Sequence, residues 1–466
     1  MRRILNGLPE TLDETYERVL REINKANRDH AHRLLQCLTV ALRPLRVEEL
    51  AEVLAIDFDA SSDGGIPELN PNWRSANQHQ AVLSTCSSLI AIVDNGLFKV
   101  VQFSHFSVKE YLTSDRLAHS SRDTSRYHIV LEPAHTILAQ ACLGVLLRLD
   151  ISVYEEDISY IPLVDYAARH WLDHAQFEDV ASRIRYAMEY FFDADKPHWP
   201  AWSQVQQIDV SWGQWVFSSE DSSYEDQDDA LPLYYASLGG FYDLTKQLVG
   251  KHPEQINARG GLLVTPLVVA LHGKHFQVAK LLHRNGADVD VRVCDEYTPL
   301  RLACIDGLVD IIQWLFNHGA DVNSQGLDGW TPLQETIDYG HFQAFWMLLE
   351  HNANIDIRNE HGESALHVAA VPRAKGDHVH IMQVLLDRGA NPNSQDNCNC
   401  TPLHHSSWRE KNQYERQGTV EGTRLLLKHG AIIDAEDDDG KTPLQLALEH
   451  GRHDIATCLK EHGATR

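Results

Sequence analysis

Thr298-Pro299-Leu300-Arg301-Leu302-Ala303, closed by Gly319-Ala320-Asp321-Val322-Asn323, is the stretch that decides the fold. Its opening phrase returns as Thr331-Pro332-Leu333, Thr265-Pro266-Leu267, Thr401-Pro402-Leu403 and Thr442-Pro443-Leu444, and in altered form as Leu231-Pro232-Leu233 and Ser364-Ala365-Leu366. Consecutive copies are 34, 33, 33, 33, 37 and 41 residues apart. A period near 33 predicts a solenoid of short helix pairs, each too small to bury a core alone. The two long steps keep the stacking register. From each closing slot to the next phrase is always 12 residues, so the extra residues fall inside helix pairs, at Val371–Asp377 and around Arg409–Gln417.

Backbone physics explains the slots. Proline after threonine suits the first helical turn, where its missing N–H is not needed, and the threonine can cap that turn. Gly286, Gly319, Gly389, Gly430 and Gly463 are expected to close the second helices with positive φ, and Asn352 takes the sixth such place. Leu281, Leu315, Leu348, Leu385, Leu426 and Leu459 recur on the face expected to pack between repeats. These phrases resemble ankyrin repeats, which implies a mainly α solenoid of about seven repeats over residues 231–466, serving as a binding surface with no built-in chemistry.

A net charge of −25 argues against nucleic acid and anionic membrane as partners. Part of it lies in Ser219–Asp229, read as a solvated linker over residues 219–230. The 8 cysteines show no framework, which fits a reducing compartment. Met1-Arg2-Arg3 is followed by no apolar stretch of signal-peptide type, and the apolar run Ile137–Leu149 is too short to span a bilayer. The expectation is a cytoplasmic protein, with a nuclear location left open.

Residues 9–58 read as three amphipathic helices, with Pro44 as the stop before the third. A short helix near Gln80–Leu89 leads into Ile90-Ala91-Ile92-Val93, the turn Asp94-Asn95-Gly96, and Leu97–Phe103. Helices followed by a hairpin spell a winged helix. Leu8-Pro9-Glu10-Thr11-Leu12-Asp13-Glu14-Thr15-Tyr16, Arg43-Pro44-Leu45 and Phe103-Ser104-His105-Phe106-Ser107-Val108-Lys109-Glu110-Tyr111-Leu112 resemble the region after the NACHT domain of fungal NACHT–ankyrin proteins, similar to the winged helix named after inositol deacylases. The stretch Asp165–Ala175 resembles the helical segment that comes next in the same family. The expected domains are post-NACHT helices with a winged helix over 1–120, a helical linker domain over 121–218, the acidic linker, and the repeats.

Such proteins carry a nucleotide-binding NACHT module. Its phosphate loop needs Gly-x-x-x-x-Gly-Lys-Ser/Thr, whereas Gly440-Lys441-Thr442 has Ala435 where the first glycine belongs. The expectation is therefore a fragment, a truncated gene model or a natural NACHT-less relative. The resemblance implies that His105 touches a nucleotide phosphate only if a NACHT module is supplied. Otherwise it is a buried or capping residue at the end of the wing.

Other chemistry is weaker. The stretch Ser75–Leu89 holds no lysine or arginine to aim at DNA. Cys398, Cys400, His404 and His405 have zinc-ligand residue types but not a standard spacing. No Gly-x-Ser-x-Gly or His-Glu-x-x-His appears, so no enzyme, cofactor or metal is expected. His318, His351, His429 and His462 precede closing slots, and His275 and His341 sit at turns between helices, where ankyrin repeats commonly carry histidine.

Ankyrin stacks present fingertips and first-helix ends along a concave face. Here those positions are Tyr297, Ile305, Asp306, Leu327, Asp328, Trp330, Asp338, Tyr339, Trp408, Glu449 and His450, with Asp295, Glu360, Glu363 and Asp438 beside them. Aromatics among acids imply a protein partner, preferably a basic one. The function expected is a protein-interaction module, the sensor or scaffold portion of an NLR-like receptor. A nucleotide-regulated NACHT switch with its ATPase or GTPase module upstream, and a regulatory ankyrin protein acting on transcription, are the alternatives.

Overall fold

The computed structural model describes residues 12–58, 68–69, 86, 88–94, 96–149, 162–205, 231–260, 264–292, 297–371, 378–407 and 419–465. They divide into two compact units, Met1–His252 and Pro253–Arg466. Helix dominates both.

The first unit opens with helices Leu12–Glu22, Arg28–Val40 and Val47–Leu54 and a three-stranded antiparallel sheet. Strand Lys99–Phe103 lies in the middle of that sheet, between Leu45–Arg46 and Ile90–Asp94. Leu45 and Ile92 both pair with Val101, and Leu45, Val101, Leu34, Leu50 and Val53 are buried. The third helix therefore starts later than the Arg43-Pro44 reading placed it. Leu45–Arg46 is extended because its backbone pairs with the hairpin. Buried Glu49 then fixes the helix start, accepting from the Arg46 backbone N–H at 2.7 Å and from Arg43 at 2.8 and 2.6 Å. Of the expected helix near Gln80–Leu89, only Cys86, Ser88 and Leu89 are described; Leu8–Thr11 lies outside the described residues.

Helix Leu131–Leu146 packs against Arg28–Val40 and Val164–Ala175. The unit closes on an aromatic cluster of Trp171, Phe191, Phe192, Trp199 and Trp202. The first repeat pair, Pro232–Leu238 and Tyr242–Lys251, belongs here. Tyr235 meets the Trp202 ring at 4.7 Å, Phe241 stacks on Trp171 at 6.2 Å, and Gln176 Nε2 donates to the Leu238 carbonyl at 3.2 Å.

The second unit holds six more pairs: Pro266–His272 with Phe276–Arg284, Pro299–Ile305 with Val309–Asn317, Pro332–Tyr339 with Phe342–Glu350, Ala365–Ala370 with His378–Asp387, Pro402–Ser407 with Val420–Lys428, and Pro443–Glu449 with His453–Glu461. The phrase leucines Leu300, Leu333, Leu366, Leu403 and Leu444 are buried between neighbours. The closing slots take positive φ as expected, from 87° at Gly430 to 99° at Gly286, and Asn352 follows at 62°. The extra residues of the fifth and sixth repeats, 372–377 and 408–418, lie outside the described residues.

Candidate partner-binding groove

Each repeat must satisfy the free N–H groups at its first-helix start, and the fourth to seventh repeats do this with the fourth residue of the phrase. Thr331 Oγ1 accepts from the Gln334 N–H at 3.3 Å, and Gln334 Oε1 accepts in return from the Thr331 N–H at 2.9 Å. Thr442 and Gln445 repeat the exchange. In the fifth and sixth repeats the partner is an imidazole: His367 and His404 each take the preceding cap N–H on Nδ1 at 3.1 Å. The far end of each side chain then crosses to the next finger. Gln334 donates to the Glu363 carbonyl at 2.8 Å, His367 to Cys400 and His404 to Lys441, both at 3.2 Å. Nδ1 accepts and Nε2 donates, so both rings are neutral; burial lowers the pKa of each, that of His367 to about 3.

The fingers are joined in the same way. The N–H of Glu360 donates to the Asp328 carbonyl, Asn397 to His361 and Asp438 to Cys398, at 2.9, 2.9 and 3.1 Å. Asn359, Asp396 and Asp437 fold their own tips by accepting two N–H bonds each. Neighbouring fingers touch closely: a Cβ on Gly362 would stand 2.7 Å from the Asn397 nitrogen.

The third repeat keeps only the threonine half of this exchange, Thr298 Oγ1 accepting from the Arg301 N–H at 3.3 Å. Its fourth residue is Arg301, without exposed side-chain surface, which turns to acids of the next repeat. Nη1 and Nη2 bind Asp328 at 2.9 and 2.8 Å, while Nε and Nη2 reach Glu335 Oε1 at 3.2 and 2.5 Å. Tyr297 covers the guanidinium at 4.6 Å. Farther along, His405 Nε2 lies 2.8 Å from Asp396 and its Nδ1 3.8 Å from Glu363. Burial works against the Asp396 charge, but the His405 bond and charge, with the Cys398 and Cys400 N–H bonds, together outweigh it and hold its pKa below the usual range.

The structure gathers the expected site residues into two sets. Tyr297 and Asp328 meet around Arg301, the Trp330 backbone N–H donates to Asp328 at 3.1 Å, and Leu327 beside them is 66% exposed. Ile305, Asp306 and Tyr339 meet around His341, whose Nε2 donates to the Ile305 carbonyl at 2.7 Å and whose ring lies parallel to Tyr339. Asp306 is half-buried, which raises its pKa although His341 pulls it down. Glu449 is exposed and pairs with Lys441 at 2.8 Å; His450 is half-buried. Trp408 lies outside the described residues. Asp338 requires a correction: it is 1% exposed, because its helix packs against the first helices on either side and is buried from Pro332 through Asp338. Sequence reasoning misses Arg301 and Glu335 and weighs His405 only as a zinc-type residue. Arginine where the four repeats that follow have glutamine or histidine is a readable signal.

The remaining candidates resolve into local roles. His105 is an exposed N-cap: its Nδ1 accepts from the Ser107 N–H at 3.3 Å and lies 2.6 Å from Ser107 Oγ, which also meets Tyr16 OH at 2.7 Å. His318, His351 and His462 bond through Nδ1 to the carbonyl one turn back in their own helices, at 2.7, 3.0 and 2.8 Å. Of the zinc-type residues, His404 spends both ring nitrogens on the backbone.

A family model described as ankyrin repeats matches residues 233–326, 322–396 and 370–465, half of the chain. The chain belongs to the ankyrin-repeat family. The winged helix domain of GPI inositol-deacylase matches residues 17–122, in agreement with the sheet and helices described above. This ankyrin-repeat chain is 30% identical to the azaphilone pigments biosynthesis cluster protein L of Monascus ruber over 299 residues, 61% of either protein. It is 32% identical to cyclin-dependent kinase inhibitor 2A of Monodelphis domestica over 104 residues, 22% of this chain and 53% of that one. With the human ankyrin repeat and SOCS box protein 3 it shares 32% identity over 124 residues, 21% of this chain and 23% of the relative. The chain thus spans less than two thirds of each relative.

Ankyrin repeats are non-catalytic scaffolds that imply protein partners, and the winged helix is consistent with NACHT-associated proteins. Among the described residues no helix is long and apolar enough to cross a membrane.

Proposed function

We propose that this ankyrin-repeat protein is a non-enzymatic interaction module, the sensor or scaffold portion of an intracellular NLR-like receptor, which takes a basic protein segment across its fingertips and first-helix ends. One observation carries the reading: three basic groups beside the fingers are already held by acids. Arg301 is held by Asp328 and Glu335, His405 by Asp396 and Glu363, and Lys441 by Glu449. The fingertip acids Glu360, Asp437, Asp438 and Asp439 add negative charge along the same edge. Free thiols at the described cysteines suit a reducing interior.

The test is selection from a randomised peptide library. Lysine- and arginine-rich sequences are expected, and Trp330→Ala with Tyr339→Ala should abolish their binding while stability changes by no more than about 1 kcal/mol. Selection of acidic sequences, or retention on DNA at physiological salt, would overturn the proposal. The second reading, a nucleotide-regulated NACHT switch, is favoured by the winged-helix match and the exposed His105. It predicts that His105→Ala alters nucleotide exchange in a NACHT module joined to this chain.

A further inference from the structure

Beneath Tyr297, the third and fourth repeats share one guanidinium between two carboxylates. Arg301, Asp328 and Glu335 have side-chain exposures of 0%, 29% and 7%. With both acids ionised, this enclosed set carries one more negative charge than positive. Among the described residues, the neighbouring groups do not relieve it. Asp338, on the same helix as Glu335, is itself a buried acid, and Cys304 on the third repeat's first helix is a buried thiol. His367, from the fifth repeat's first helix, has committed its ring to Ser364 and the Cys400 carbonyl. Second helix Phe342–Glu350, packed on the other side, brings only Glu350, at its exposed end.

We propose that the triad is a proton-operated latch between the third and fourth repeats. A proton taken from solvent onto a Glu335 carboxylate oxygen leaves a balanced Arg301–Asp328 pair and tightens the join. Its release restores the surplus charge and loosens the finger carrying Leu327, Asp328 and Trp330. The fork geometry makes the choice of Glu335 physical. Asp328 takes Nη1 and Nη2 through its two separate oxygens, whereas Glu335 receives Nε and Nη2 on one oxygen and lies deeper. Burial pushes the Glu335 carboxyl up to about 7, Arg301 opposing and the charges of Asp328 and Asp338 assisting. The latch goes beyond the groove reading and does not depend on what the groove binds.

The sign comes from linkage. The unfolded glutamate has lost its proton at a pH where folded Glu335 still holds one, so acidification favours the closed form. The test is amide hydrogen exchange of the full chain from pH 5.5 to 8, read on peptides covering residues 321–339 and corrected for intrinsic rates. Wild-type protection should fall about tenfold per pH unit up to about pH 7 and then level, relative to Glu335→Gln, which removes this proton. Asp328→Asn should move the transition to lower pH, because it takes away one of the two competing carboxylates. A carboxyl 13C resonance absent from Glu335→Gln should titrate near neutrality in the wild type. Parallel pH profiles for wild type and Glu335→Gln, or a Glu335 resonance titrating below pH 5, would overturn the latch even with partner binding intact.

Discussion

The first and fourth repeats share the helix-pair plan but hold their ends by different physics. In the fourth, Thr331 and Gln334 cap the first helix reciprocally, and Gln334 crosses to the next finger. In the first, Leu231 occupies the cap position without a side-chain bond, and Tyr235 and Phe241 press into the tryptophan cluster of the preceding helices. Hydrogen-bonded caps are directional and repeat by repeat. An aromatic anchor is non-directional, and its strength depends on the whole cluster remaining packed. The comparison teaches that a repeat which has lost its cap can still be held, provided another surface buries it.

The largest expected effect is on the anchor. Trp202→Ala removes a fully buried ring in contact with Trp171, Phe191, Trp199 and Tyr235. It should cost about 3–5 kcal/mol in denaturant unfolding of the first unit and raise exchange in residues 232–251, leaving the fourth repeat protected. If the first repeat stays protected in that variant, the anchor is not what holds it.

Acid should loosen the same region. His174 lies one turn beyond Trp171, bonded to Tyr166 OH at 2.7 Å and to His135 at 2.8 Å, and burial lowers its pKa to about 3. The folded form therefore stays neutral while the unfolded histidine, at about 6.5, takes up a proton. Stability is fully present above pH 6.5 and should fall by about 1.4 kcal/mol per pH unit below it. Replacing His174 by Gln should flatten that slope in thermal melts from pH 7 to pH 5.

The finger ladder is tested by two glycines. Gly362→Ala combines a φ of +78° with a Cβ 2.7 Å from the Asn397 nitrogen, and about 2–3 kcal/mol of destabilisation is expected. Gly440→Ala meets nothing within 4 Å at φ +71° and should cost about 1 kcal/mol, from backbone strain alone. Equal losses at both sites, read from urea midpoints, would mean that close finger contact contributes nothing.

The smallest effect compares two caps. Thr331→Ala should cost about 1 kcal/mol. Thr265, whose buried Oγ1 has no partner among the described residues, should lose only a few tenths on the same change. Matched thermal melts of the two variants resolve the difference.

Much of the repeat stack that forms the candidate groove is legible because spacing and backbone rules act locally. The closing glycines, the prolines at first-helix starts and the fixed 12-residue fingers each come from one residue type at one interval. Tyr297, Asp328 and Trp330 could be placed at fingertips for the same reason. Asp338 is hidden from sequence reading because its helix stays buried to within one residue of its end, and burial there depends on the neighbouring repeats. The late start of the helix at Val47 was hidden too, since Leu45 is extended only because Val101 pairs with it across the sheet.

By itself the sequence determined the repeat, its period, its insertions and the winged-helix order of elements, since each is written in contacts a few residues apart. Tertiary structure alone decided that the first repeat packs on the tryptophan cluster, and that Arg301 abandons capping for two acids 27 and 34 residues away. Those choices rest on which buried group finds which partner at long range, and the free energy of that pairing depends on packing that no local pattern encodes.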